Sequence, residues 1–183
     1  MQTEPYIDNL TYKKSRFTWK HLVVLIVCGL IIPPLLSIGF VLFIAQPVKN
    51  EGNGMAPTIK SGDKVFFSKR VSSFQRGDIV VFYYPLNKSQ SFINRIVGLP
   101  NETIRIDANG NTYINGSQID EPYLLPANNR HPRIIPETTI EPDHYYVLGD
   151  GRDFSNDSRS WGQVPKDLIY GKYMFTYWAA SDR

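Results

Sequence analysis

Gly77-Asp78-Ile79-Val80-Val81-Phe82-Tyr83-Tyr84 reads as a turn that launches a buried strand. Gly-Asp supplies the turn, and every residue from Ile79 to Tyr84 is β-branched or aromatic. The same pattern recurs on either side, in residues 64–68, 92–97, 103–107, 145–148 and 173–178. Asn109-Gly110 and Asn115-Gly116 bracket Thr112-Tyr113-Ile114, and both dipeptides tolerate the positive φ that tight hairpins require. Residues 120–143 differ. Pro122, Pro126, Pro132, Pro136 and Pro142 exclude a long helix or a central strand there, so this stretch is expected to be a loop-rich excursion riding on the sheet. No stretch after residue 45 holds helical periodicity over four turns. The expected fold class is mainly β, one antiparallel domain over residues 46–183.

Residues 21–45 contain no Asp, Glu, Lys or Arg. A helix of that length covers roughly 37 Å, enough to cross a bilayer with some tilt. A buried core helix would keep a polar face, and this stretch has none. A cleavable leader would be shorter and end in a small-x-small site, which Phe43-Ile44-Ala45-Gln46-Pro47 does not supply. The expectation is a single transmembrane anchor over 21–45, kinked near Pro33-Pro34. Lys13, Lys14, Arg16 and Lys20 precede it, so residues 1–20 are expected to be a cytoplasmic tail and residues 46–183 to lie outside the plasma (inner) membrane. Phe17 and Trp19 suit the inner interface.

The net charge is +3 over 183 residues, with +2 on residues 1–20 and +1 on the remainder. The near-neutral main domain has no basic patch of the kind nucleic acid demands. Cys28 is the single cysteine and lies in the apolar span, so no intramolecular disulfide forms. His131 and His144 are the histidines beyond that span, too few ligands for zinc. No metal and no cofactor is expected.

Three further segments carry recognisable patterns: Gly52-Asn53-Gly54-Met55-Ala56-Pro57-Thr58-Ile59; Phe92-Ile93-Asn94-Arg95-Ile96-Val97-Gly98-Leu99-Pro100; and Gly149-Asp150-Gly151-Arg152-Asp153-Phe154-Ser155-Asn156-Asp157-Ser158-Arg159-Ser160-Trp161-Gly162. With residues 77–84 they resemble, in order, the signature boxes of the type I signal peptidases. These are membrane-anchored serine proteases that cut signal peptides from exported proteins. The resemblance spans about residues 51–177.

The resemblance implies roles position by position. The nucleophilic serine falls at Gly54, which has no side chain to attack with. A second serine, which in some branches helps hold the oxyanion, falls at Gly52, where only a backbone N–H remains. The lysine that acts as general base falls at Asn94, an amide that takes no proton at physiological pH. The supporting residues Ser155, Asp157 and Arg159 are intact. In the family that serine bonds the lysine and the Asp–Arg pair shapes the site, so with no lysine Ser155 is left to bond Asn94. Gly151 and Phe154 replace the usual asparagines, and Asn101-Glu102 replaces Gly-Asp. Gly52, Asn53, Met55 and Pro57 stand where substrate would bind.

The expected function is that of a signal peptidase relative lacking its catalytic pair. It would bind a signal-peptide region or exported protein in extended form by strand addition beside the membrane, in a role such as surface-protein assembly. The alternative is an active endopeptidase with a rewired site. Ser61, Ser68, Ser72 and Ser73, with Lys60, Lys64 and Lys69, offer hydroxyls and amines, but none stands in the family's catalytic positions.

Overall fold

A computed structural model describes residues 18–180. Lys13, Lys14, Arg16 and Phe17, on which the expected tail and inner interface rest, lie outside the described residues. Helix α1 runs Trp19–Phe43. It is long and apolar enough to cross a membrane, and it exposes Leu22, Leu25, Leu30, Leu35 and Leu36 around its surface. It continues without a break through Pro33 and Pro34, and the Ser37 hydroxyl donates to the Pro34 carbonyl at 2.8 Å. The chain divides into two units between Ile38 and Gly39. Ala45, grouped with the apolar span on composition, instead opens β1 and is fully buried.

Eleven strands follow in chain order: β1 (Ala45–Lys49), β2 (Lys64–Ser68), β3 (Ile79–Tyr84), β4 (Asn87–Gly98), β5 (Thr103–Ile106), β6 (Thr112–Ile114), β7 (Ser117–Gln118), β8 (Ile135–Thr139), β9 (His144–Leu148), β10 (Val164–Pro165) and β11 (Ile169–Trp178). A short helix, α2 (Ser158–Trp161), precedes β10. One sheet has the order β1-β2-β11-β3-β4-β9-β10 and the other β7-β6-β5-β8. Every pairing is antiparallel, so the fold is mainly antiparallel β with one N-terminal apolar helix.

The unbroken apolar run of β3 follows from burial on both faces. Val80 and Phe82 enter a cluster with Ile96, Tyr145 and Val147. Ile79 and Val81 enter another with Met55, Ile59, Val65 and Phe67. Strand β9 alternates in the same way: Tyr146 and Leu148 point into a third cluster with Ile104, Ile106 and Ile140, as the two-residue period of a strand requires. Strand β8 arises inside the proline-rich excursion. It is an edge strand, so Pro136 deprives no inner ladder of a donor.

The middle of the excursion is tied to the 149–157 loop through Asp153. Its carboxylate accepts the N–H groups of Arg130 at 2.8 Å and His131 at 3.0 Å, and its own N–H donates to the Asn128 carbonyl at 2.9 Å. Burial works against ionisation, but the two backbone donors together with the nearby His131 and Arg159 charges outweigh it and hold the Asp153 carboxyl below the usual aspartate range.

Two expectations follow. A Cβ added at Gly171 would lie 2.8 Å from Phe67 Cβ and 2.9 Å from Val81 Cγ1, so β11 crosses the core too closely for a side chain. Gly171→Ala is expected to cost about 1–3 kcal/mol in denaturant unfolding of the detergent-solubilised chain; an unchanged midpoint contradicts this. A depressed carboxyl contributes stability that is complete above its unfolded pKa and lost as pH falls through the folded one. The Arg130 and His131 amide resonances are therefore expected to titrate together below the ordinary aspartate pKa and to stop titrating in Asp153→Asn. Titration unaltered by that substitution would refute the tether.

Candidate functional site

The site is made by two loops in backbone contact against strand β4. The first, residues 50–62, is shaped by Asn50. Its Nδ2 donates to the carbonyls of Gly52 at 2.8 Å, Lys60 at 3.0 Å and Ile59 at 3.3 Å. Met55 anchors the loop in the core at 1% exposure. The second loop, residues 149–157, meets it where Gly151 N–H donates to the Gly54 carbonyl at 2.9 Å. The approach tolerates no side chain. A Cβ at Gly149 would sit 2.2 Å from Ser155 Oγ and 2.3 Å from the Gly54 carbonyl, and one at Gly151 would sit 2.6 Å from the Asn53 carbonyl. This closeness gives a physical reason for glycine at 151, where the resemblance led to an expectation of asparagine.

Asn94 comes from β4, opposite Val80 of β3. It is 2% exposed, and its Nδ2 donates to Ser155 Oγ at 3.1 Å. Its Oδ1 is buried without a hydrogen-bond partner among the described residues. Whichever way the amide is turned, one polar end meets Ser155 and the other is left unmatched. The position above Gly54 is different. An added Cβ would lie 3.4–3.6 Å from Ser155 atoms, ordinary to slightly tight contact, so a side chain fits there beside the Ser155 hydroxyl.

Asp157 and Arg159 form the expected ion pair. Asp157 Oδ1 accepts Arg159 Nε at 2.8 Å and Oδ2 accepts Nη2 at 2.8 Å. The same carboxylate caps α2 through Arg159 N–H at 3.2 Å and takes Gly149 N–H at 3.1 Å. Both side chains are almost wholly buried. The pair stands behind the loop and holds it in place.

A groove of about 490 Å³ joins Gly52, Asn53, Gly54, Met55, Asn94 and Ser155. Pro57, Asp157 and Arg159 are outside its lining. Val48 and Lys49 of β1 border it together with residues 91–94 of β4, although these strands stand four places apart in the sheet. Over residues 91–94, β4 pairs with β3 on one side, and its ladder to β9 begins only at Arg95. The groove therefore presents an unpaired strand edge. Its hydroxyls are Ser91 and Ser155, and its one lysine, Lys49, lies exposed in an ion pair with Glu51 at 3.3 Å. No cluster of three His, Cys, Asp or Glu residues suited to a metal occurs among the described residues.

Sequence patterns missed the frame around the groove. Arg95 forks onto Asp150, Nε to Oδ1 at 2.8 Å and Nη2 to Oδ2 at 2.5 Å, and Thr58 Oγ1 donates to the same Oδ2 at 2.5 Å. Arg95 also reaches the Gly77 carbonyl at 2.8 Å and lies 4.0 Å from the centre of the Tyr123 ring. Burial works against its charge, but Asp150 prevails and raises its pKa. Arg152 pairs with Glu121 at 2.5 Å, both side chains buried. These partners lie 18–92 positions apart in the chain, and no local pattern connects them.

Comparison with known proteins identifies the family. The family model described as signal peptidase, peptidase S26, matches residues 19–178. A probable signal peptidase I-2 of Synechocystis sp. is 34% identical, over 96% of this chain and 82% of the relative's length. Signal peptidase IB of Staphylococcus aureus is 32% identical, over 76% of this chain and 81% of that protein. The crystal structure of a signal peptidase I from Enterococcus faecalis V583 is 31% identical, covering 56% of this chain and 98% of the other with a TM-score of 0.48. With the family's boxes gathered around one groove and its model matched along nearly the whole chain, this protein belongs to the signal peptidase family, peptidase S26.

Proposed function

We propose that the chain is a membrane-anchored, non-catalytic member of its family that holds the signal-peptide region of an exported protein without cutting it. One observation carries this reading. The cradle is assembled in full around Gly54, which has no nucleophile, and Asn94, which has no basic group. Ser155, the buried hydroxyl of the groove, is bonded to an amide that does not take its proton. Rewired cleavage would need a base within reach of Ser155 or Ser91, and Lys49 is occupied with Glu51 at the rim.

Binding has what it needs. An extended peptide entering the groove meets the unpaired edge of β4 over residues 91–94 on one side and the Gly52–Met55 backbone on the other. Main-chain hydrogen bonds then supply affinity, and small side chains face the shallow lining. Signal-peptide regions are the substrates of the family and suit this mode. Helix α1 serves as the anchor, with residues 1–20 cytoplasmic and the β domain outside the plasma membrane, beside chains emerging from export.

Cleavage of a preprotein with a small-x-small site, in liposomes, tests the reading. The native chain is expected to be inert and the Gly54→Ser, Asn94→Lys double variant to cut. Each single variant should stay near background, because nucleophile and base act as a unit. Native cleavage that disappears in Ser155→Ala would overturn the proposal. Binding is tested separately. The native chain is expected to photo-crosslink the uncut peptide, and Gly52→Trp, at a position with nothing within 4 Å of an added Cβ, should weaken capture about tenfold or more, or at least 1.4 kcal/mol, without changing thermal stability. Equal capture by that variant would remove the groove as the binding site.

A further inference from the structure

The buried residues that line the groove are Asn50, Met55, Val81, Asn94 and Ser155. Met55 and Val81 are apolar, and the Asn50 amide is engaged with the carbonyls of its own loop. The Asn94–Ser155 pair is different. Asn94 Nδ2 donates to Ser155 Oγ at 3.1 Å, and neither the Asn94 amide oxygen nor the Ser155 hydroxyl has a further hydrogen-bond partner among the described residues. The pair thus holds one acceptor and one donor unused, on side chains only 2% and 7% exposed. An unmatched polar group at such burial costs free energy that a ligand recovers by pairing with it. Space for the ligand lies beside them. An atom placed as a Cβ on Gly54 would meet Ser155 Cα at 3.4 Å, Oγ at 3.5 Å and Cβ at 3.6 Å, and glycine leaves that position open.

The chemistry of the pair selects the group that fits it. A ligand group with only an N–H matches the amide oxygen, and one with only a carbonyl matches the Ser155 O–H. A hydroxyl both donates and accepts, so it matches the two together, whichever way the Asn94 amide is turned. In an extended peptide held along β4, main-chain groups are taken by the strand edge, and alternate side chains turn toward the groove lining. We propose that the groove selects a short hydroxyl side chain, serine or threonine, at the peptide residue that meets Gly54. The ligand hydroxyl donates to Asn94 Oδ1 and accepts from the Ser155 O–H. Gly54 leaves the room that this side chain fills. Alanine fits the same place but leaves both buried groups unmatched. The inference deepens the reading of the groove as a peptide-binding site and rests on it.

Fluorescence anisotropy of the full chain in detergent micelles tests it, with labelled peptides that contain a small-x-small sequence. Serine, alanine and 2-aminobutyrate replace one another at each of the two small positions in turn. In 2-aminobutyrate a methyl group stands where serine has its hydroxyl, so size and hydrogen bonding are separated. At one of the two positions the serine peptide is expected to bind about tenfold more tightly than either analogue. Ser155→Ala and Asn94→Leu should each bring that ratio close to one. Gly54→Ser, which puts the chain's own hydroxyl in the space, should do the same. Because the readout is a ratio between peptides, a general loss of affinity or of folded protein does not imitate it. Equal binding of the three peptides at both positions overturns the selectivity and leaves the groove as a binding site. A serine preference that persists in both Ser155→Ala and Asn94→Leu assigns the hydroxyl to other residues and overturns it as well. Failure of every peptide to bind refutes the proposed function and this inference together.

Discussion

The fork of Arg95 onto Asp150 is the contact on which the site depends. Arg95 leaves β4 one residue after Asn94, and Asp150 leaves the 149–157 loop one residue after Gly149. Thr58 brings the 50–62 loop onto the same carboxylate. Three segments far apart in the chain thus converge on one carboxylate with no exposed side-chain surface. A charge buried there is tolerable because every strong donor it needs is aimed at it. Removing either partner would leave the other charge buried and unmatched, and the groove would lose its walls along with the pair.

Within that frame, the loops approach each other at backbone distance. Gly149 and Gly151 permit the approach, and Asp157 locks it by taking the Gly149 N–H while it pairs with Arg159. Gly54 and Asn94, which the resemblance aligns with the nucleophile and base, lie at the meeting point, and the contacts that shape it use neither side chain as an acid, base or nucleophile. Scaffold and chemistry are separable here. The ion pairs and close approaches that shape the groove use different atoms from those that would break a bond. The amide oxygen of Asn94 is buried without a hydrogen-bond partner among the described residues, in a site otherwise well satisfied.

Most of the strand pattern was legible before the structure. Residues 64–68, 79–84 and 103–106 are strands because β-branched and aromatic runs bounded by turn residues have few other stable arrangements. The short strands β1, β7, β8 and β10 were not legible. Strand β1 carries Pro47 and follows directly on the apolar helix, and β8 carries Pro136 within a proline-rich stretch. Both are edge strands, which need hydrogen-bond partners on one side only, and the sequence does not state which strands become edges. Likewise the bond between Asn94 and Ser155 was foreseeable once the family's boxes were aligned, whereas Asp150, Thr58, Glu121 and Arg152 carried no local mark of their role.

The sequence by itself determined the apolar span, the β character of the domain and which residues stand where the resemblance places a nucleophile and a base, because these depend on composition and on order along the chain. The tertiary structure alone decided that β3 is buried on both faces and that an edge of β4 is left open beside Gly54. Those features depend on which distant strands pair and how closely two loops approach, and such contacts between residues many positions apart leave no period or spacing in the chain to be read.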